Sequence, residues 1–202
     1  MAARLIAGLV LLACVAVLGA VAFGDSDEAP EVATTTTTTA ALAEAPDNYG
    51  PRKSLVNLDG WLNTDIDSLD DLDGKVVLVE MWTFGCSNCK ARIPHTQALY
   101  ADLSRDDFEI VGVHAPEFSY EAEIPNIEQA VVDLGVTWPV ALDTSKENFR
   151  SWQDGGRRFW PRTYVIDQHG DVRYDHIGEG RYEELEQTIN FLIDNPPVTA
   201  TS

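Results

Sequence analysis

The stretch Val76-Val77-Leu78-Val79-Glu80-Met81-Trp82-Thr83-Phe84-Gly85-Cys86-Ser87-Asn88-Cys89 decides how this chain is read. Lys75 to Trp82 is a nearly unbroken apolar run, with the character of a strand buried on both faces in a parallel sheet. It ends in an aromatic turn that delivers two cysteines, three residues apart, onto the start of a helix spanning Ser87 to Leu103. A helix start offers unpaired N–H groups and positive partial charge, which favour thiolate over thiol. The thiolate is the attacking species in disulfide exchange. The spacing also lets the second sulfur reach the first, so Cys86 and Cys89 read as a pair cycling between dithiol and disulfide. Cys86, ahead of the helix, is expected to be the exposed nucleophile. Cys89 opens a core-facing stripe with Ile93, Tyr100 and Leu103, and is expected to be the shielded, resolving thiol.

A structural staple is the plainer reading of a cysteine pair in an oxidising compartment. A bridge this short constrains little chain entropy, because stabilisation grows with loop length. Half of a zinc site is the other alternative, but there is no second cysteine pair and the histidines are scattered. No metal and no cofactor are expected.

The chain of 202 residues carries 33 acidic and 14 basic residues, a net charge of −19. That excess argues against nucleic acid or anionic membrane surfaces as partners. Leu5 to Phe23 is an unbroken apolar run long enough to span a bilayer, with Arg4 before it and Asp25, Asp27, Glu28 and Glu31 after it. Charge asymmetry of this kind leaves the N-terminus in the cytoplasm and exports the rest. Three readings stay open: an uncleaved anchor, cleavage after Ala20-Val21-Ala22, or lipidation at Cys14. All place the remainder outside the cytoplasmic membrane.

Residues 1–24 are thus read as anchor or signal, and 25–48 as an Ala/Thr/Pro-rich linker with six consecutive threonines at Thr34 to Thr39. Residues 49–196 form the folded domain and 197–202 a disordered tail. Within the domain, Leu55 to Leu58 and Trp61 to Asn63 suggest a hairpin around Asp59-Gly60. The acidic stretch Asp65 to Asp73 reads as a short capped helix. Further strands are predicted at Phe108–His114 and Trp138–Leu142, and helices at Pro125–Leu134 and Glu147–Trp152. A hairpin follows, Thr163–Asp167 with Asp171–Ile177, and then a closing helix at Tyr182–Ile193. Strands alternating with helices imply an α/β fold, a central mixed sheet covered on both faces.

The octapeptide Trp82 to Cys89 resembles the active-site motif of the thioredoxin superfamily. Its form is that of the exported TlpA-like and ResA-like thiol:disulfide oxidoreductases, and especially of the thioredoxin-like domain of DipZ-type proteins. The likeness continues through Trp61-Leu62-Asn63, Gly74-Lys75-Val76-Val77-Leu78-Val79, His114-Ala115-Pro116-Glu117-Phe118 and Phe159 to Asp167, and Pro94 stands where such helices carry a kinking proline. The resemblance implies a thioredoxin-like fold, here with an N-terminal hairpin extension. It gives Glu80 the task of moving protons to and from the resolving thiol, as suits a carboxyl whose pKa burial raises. It makes Trp160-Pro161 a cis bond facing the cysteines, where backbone groups pair with an extended substrate. Trp160 then rims the substrate groove, and Trp82 is either a wall of the site or plain core.

The function implied is a reductase of exported protein disulfides, of the cytochrome-maturation type, tethered to the membrane by its N-terminal segment. DipZ-type proteins carry a multi-spanning electron-transfer portion, whereas this chain has one apolar segment, so its reducing partner is expected to be a separate membrane-embedded donor. Ser87-Asn88 differs from the Gly-Pro of ordinary thioredoxins and tunes the potential. An oxidising disulfide foldase would share every other feature. A thiol peroxidase of the same fold matches at Thr83, but Val79 stands where its proline belongs. A non-enzymatic metal chaperone would use Cys86, Cys89 and a histidine. His95, His114, Glu117, Arg157 and Arg158 are weaker candidates whose plain readings are structural or solvated.

Overall fold

The computed structural model describes residues 45–153 and 155–196. Its strands are β1 (Trp61–Leu62), β2 (Val76–Trp82), β3 (Phe108–His114), β4 (Val140–Leu142), β5 (Arg162–Ile166) and β6 (Val172–Ile177). They form one six-stranded sheet in the order β1-β4-β3-β2-β5-β6. β2 runs parallel to β3 and β3 to β4, while β5, β6 and β1 join antiparallel. The helices are α1 (Ser87–Asp102), α2 (Ile124–Asp133), α3 (Glu147–Trp152) and α4 (Tyr182–Asp194). This is the thioredoxin-like α/β arrangement that the resemblance implies.

β2 is central and buried along its whole length, and its alternation divides the core in two. Val76, Leu78 and Trp82 pack with Cys89, Ile93 and Leu99 of α1, Ile127 and Val131 of α2, and Leu185, Ile189 and Leu192 of α4. Val77, Val79 and Met81 point the other way, onto Phe149 and Trp152 of α3 and onto Leu69 and Leu72 of a short 3₁₀ turn. That turn is the capped acidic segment expected from sequence: Ser68 and Asp71 form a reciprocal capping box.

Glu80 shares the parity of Leu78 and Trp82. It therefore belongs to the face covered by α1, at the centre of the sheet, between Gly112 of β3 and Thr163 of β5.

The N-terminal hairpin does not form. Leu55 to Leu58 is no strand, and Asn57 has a positive φ of 51° that breaks extension. Trp61–Leu62 pairs instead with β4, seated by Asp59 N–H on Leu142 O and Leu142 N–H on Gly60 O. The local Asp-Gly turn signal loses to an available sheet edge. The domain's contacts also reach back before Tyr49, since Arg173 donates to the carbonyls of Pro46 and Asp47. The apolar segment Leu5 to Phe23, most of the Thr-rich stretch and the tail lie outside the described residues. Among the described residues no helix is long and apolar enough to cross a membrane.

Candidate active site

The site lies where β2 ends and α1 begins. Thr83 to Gly85 make the turn, and Cys86 occupies the N-cap of α1 in an extended conformation. The N–H of Cys89 donates to Cys86 Sγ at 3.3 Å, so one of the helix's orphan amides is aimed at the sulfur. Both cysteines are unbonded thiols. Cys86 is half-buried, whereas Cys89 is 1% exposed. Burial pushes the Cys89 thiol well above its ordinary pKa, and the neighbouring Cys86 and the Glu80 carboxylate add to the rise. Cys89 therefore stays protonated until a base takes its proton.

Among the described residues the carboxylate that acts on Cys89 is Glu80. Glu80 is 5% exposed, and burial raises its pKa while Arg92 and Thr96 pull it back. The Arg92 Nε stands 3.3 Å from Glu80 Oε1, and Thr96 Oγ1 donates to Oε2 at 3.4 Å. The buried face of α1 is accordingly Cys89, Arg92, Ile93, Thr96 and Leu99, with Tyr100 and Leu103 at its partly buried margin. Sequence reasoning passed over Arg92 and Thr96. The signal was their spacing from Cys89, which puts them on its side of the helix.

The Trp160–Pro161 bond is cis, as the resemblance implied. Cys86 Sγ donates to Trp160 O at 3.8 Å, so the backbone before Pro161 lies beside the half-exposed sulfur. Trp160 is fixed by its Nε1 on Ala115 O and by stacking on Phe149 at 4.1 Å. Pro161 is buried, and Trp82, at 4% exposure, packs in the core and presents no face to solvent.

Beneath the loop lies a second buried constellation. Glu121 takes three hydrogen bonds on Oε2: from Thr83 Oγ1 at 2.8 Å, from Glu117 N–H at 2.6 Å and from Phe118 N–H at 3.1 Å. Thr83 also meets His114 Nε2 at 3.3 Å. The hydroxyl that resembles a peroxidase threonine thus turns inward to Glu121. Gly85 is required here for space, because a Cβ would overlap Glu121 Oε1. The carboxylate therefore props the turn that carries Cys86 and ties it to the segment after β3. Glu117, singled out from sequence, is exposed; Glu121, four residues on and fully buried, was not.

His114 is fully buried between Trp82 and Phe84, and burial pushes its pKa down to about 4 against the pull of Glu121. A base whose folded pKa is depressed stabilises the fold above its unfolded pKa of 6.5 and loses that contribution as the pH falls towards the folded value. Going from about pH 7 to pH 4 is expected to remove up to about 3 kcal/mol through this one group. Denaturant unfolding of wild type and His114→Gln at both pH values checks this. The stability gap between them should shrink in acid; a gap independent of pH would show that His114 is not held neutral.

His95 is half-buried against α4, 3.6 Å from Glu186 Oε1, with its ring tilted against that of Tyr182 at 4.2 Å. Arg157 and Arg158 are exposed.

The Redoxin family model matches residues 28–189. Protein DipZ of Mycobacterium bovis is 35% identical over 153 residues, covering 74% of this chain and 21% of that protein. This chain thus spans about a fifth of that relative's length. Thiol-disulfide oxidoreductase ResA of Halalkalibacterium halodurans is 28% identical over 127 residues, 62% of this chain and 66% of the relative. A solved thiol-disulfide isomerase from Corynebacterium glutamicum superimposes with a TM-score of 0.60 at 20% identity, covering 76% of this chain and 99% of that one, a likeness of fold.

Proposed function

This chain belongs to the Redoxin family and has the thioredoxin-like fold, and we propose that it is a thiol-disulfide oxidoreductase that reduces protein disulfides outside the cytoplasmic membrane. The observation that carries the reading is the asymmetry of the pair: a half-exposed Cys86 under a helix amide, and a buried, protonated Cys89 behind it.

Cys86 Sγ, as thiolate, attacks one sulfur of the substrate disulfide. The substrate S–S bond breaks, and the departing sulfur leaves as a thiolate that takes a proton from water. Glu80 then accepts the Cys89 proton, and Cys89 Sγ attacks Cys86 Sγ. The second substrate sulfur leaves with the electron pair. Two electrons have passed from the dithiol to the substrate, and Cys86 and Cys89 are joined as a disulfide. The backbone at the cis Trp160–Pro161 bond, beside Cys86, and the rim made by Trp160 receive the extended substrate segment.

A separate membrane-embedded dithiol donor restores the pair. The apolar segment Leu5 to Phe23 and the Thr-rich spacer support tethering, because a tether raises the local concentration of donor and domain. Likeness to DipZ and to ResA supports the reductive direction, with exported thiol proteins such as apocytochromes as substrates.

Equilibration of the full chain against glutathione and dithiothreitol series tests the direction. For a two-electron couple, about 30 mV corresponds to about 1.4 kcal/mol, so modest differences in thiolate stabilisation decide it. A potential near about −270 mV is expected, and one near about −120 mV would make the protein an oxidant instead.

A further inference from the structure

Three residues beyond Cys89, α1 carries an arginine with no access to solvent. Among the described residues Arg92 is the largest side chain that is fully buried. A buried guanidinium is costly unless an anion and hydrogen-bond acceptors surround it. Here the anion within ion-pair reach is Glu80, its Oε1 3.3 Å from Nε, and no described residue offers a well-aligned hydrogen-bond acceptor to any of the three guanidinium nitrogens. The Tyr182 ring lies 5.5 Å from Cζ, and the other titratable groups that face this space are Cys89 and His95 on α1 and Tyr174 on β6. An arginine buried for architecture alone would be laced to backbone carbonyls; this one is spent on a single acid.

We propose that Arg92 is the counter-ion of the proton-transferring carboxylate, holding Glu80 as an anion in the dry space beneath Cys89 so that it can accept the Cys89 proton during resolution. The inference rests on the roles given above to Cys86, Cys89 and Glu80, and makes Arg92 a positioning residue. A carboxyl buried alone is neutral at working pH and cannot act as a base, and burial pushes Glu80 in that direction while Arg92 opposes it. The transfer breaks the Cys89 S–H bond and forms a Glu80 O–H bond. One buried anion replaces another, and the cation is unchanged. The pocket is neutral before and after, so the proton moves without a second desolvation.

Resolution of the mixed disulfide by the full chain, followed against pH, tests this. The rate falls below the pKa of Glu80. Removing the cation in Arg92→Met raises that pKa further, so the acid limb should move to higher pH by about one to three units. Arg92→Lys should return it towards wild type. Glu80→Gln should erase the limb, and Arg92→Met should add no shift in that background. An Arg92→Met limb in the wild-type position, or the same shift with and without Glu80, would overturn the proposal while leaving the redox function intact. A wild-type chain that forms no mixed disulfide would overturn both. A measurement independent of how Arg92→Met folds is the infrared difference between wild type and Glu80→Gln at neutral pH. A carboxylate band is expected, and a protonated carbonyl band would contradict the proposal.

Discussion

Cys86→Ser is expected to abolish disulfide reduction altogether while leaving the fold intact. The hydroxyl that replaces the thiol is a poor nucleophile at neutral pH, and no other described sulfur can take its place. Cys89 is 1% exposed and kept protonated by burial, so a bulky protein disulfide cannot meet its sulfur. Stability should change by no more than about 0.5 kcal/mol, since the site is partly solvated and serine can keep the N-cap interaction. Reduction of a disulfide-bonded protein, alongside denaturant unfolding, reads both effects. Retained turnover would place the chemistry elsewhere in the chain.

The second large effect is at Glu80. Glu80→Gln preserves shape and should slow exchange about a hundredfold or more, the usual loss when a proton-transfer group is removed. Resolution should carry this loss, because attack by Cys86 does not wait for the Cys89 proton. Stopped-flow rates for the two steps separate them, and equal slowing of both would mean that Glu80 acts on the site as a whole.

The structure adds a stability term that the sequence did not disclose. Glutamine leaves the Arg92 charge buried without its anion, a loss of about 3–5 kcal/mol for a broken buried pair. The sign with pH is also set. A carboxyl whose folded pKa is raised favours the fold in acid and loses that contribution as pH rises through the folded value. This is the reverse of the His114 contribution, so the two variants should tilt the stability profile in opposite directions.

The parts of the fold legible in sequence are those in which burial dictates the pattern. β2 reads as a strand because residues facing both core layers are apolar, and the cysteine pair follows from its spacing at the strand's end. The β5–β6 hairpin announces itself at His169-Gly170, where Gly170 takes a φ of 88°. Leu55 to Leu58 misleads because a turn dipeptide speaks only for its neighbours, while the partner strand of Trp61 lies some eighty residues away at Ala141.

Within the site, the pairing of Cys86 with Cys89 is legible in their spacing, whereas the role of Glu80 and the cis Trp160–Pro161 bond are legible only through the family resemblance. Arg92 and Glu121 are legible in neither way, for one physical reason. In a strongly acidic chain, charged side chains read as solvating surface, and only tertiary contacts reveal which are buried. The parity of Glu80 with Leu78 and Trp82 was the one available hint that a cation should wait on the facing helix.

The central claim is that Cys86 attacks and Cys89 resolves. A chain carrying Cys14→Ser and Cys89→Ser, incubated in reduced form with a disulfide-bonded peptide and analysed by mass spectrometry, tests it most directly. The prediction is one stable mixed disulfide, located at Cys86, where the Cys14→Ser chain with Cys89 intact releases the peptide and closes its own Cys86–Cys89 bridge. A chain that captures no peptide, or a mixed disulfide that resolves equally fast without Cys89, would contradict the account.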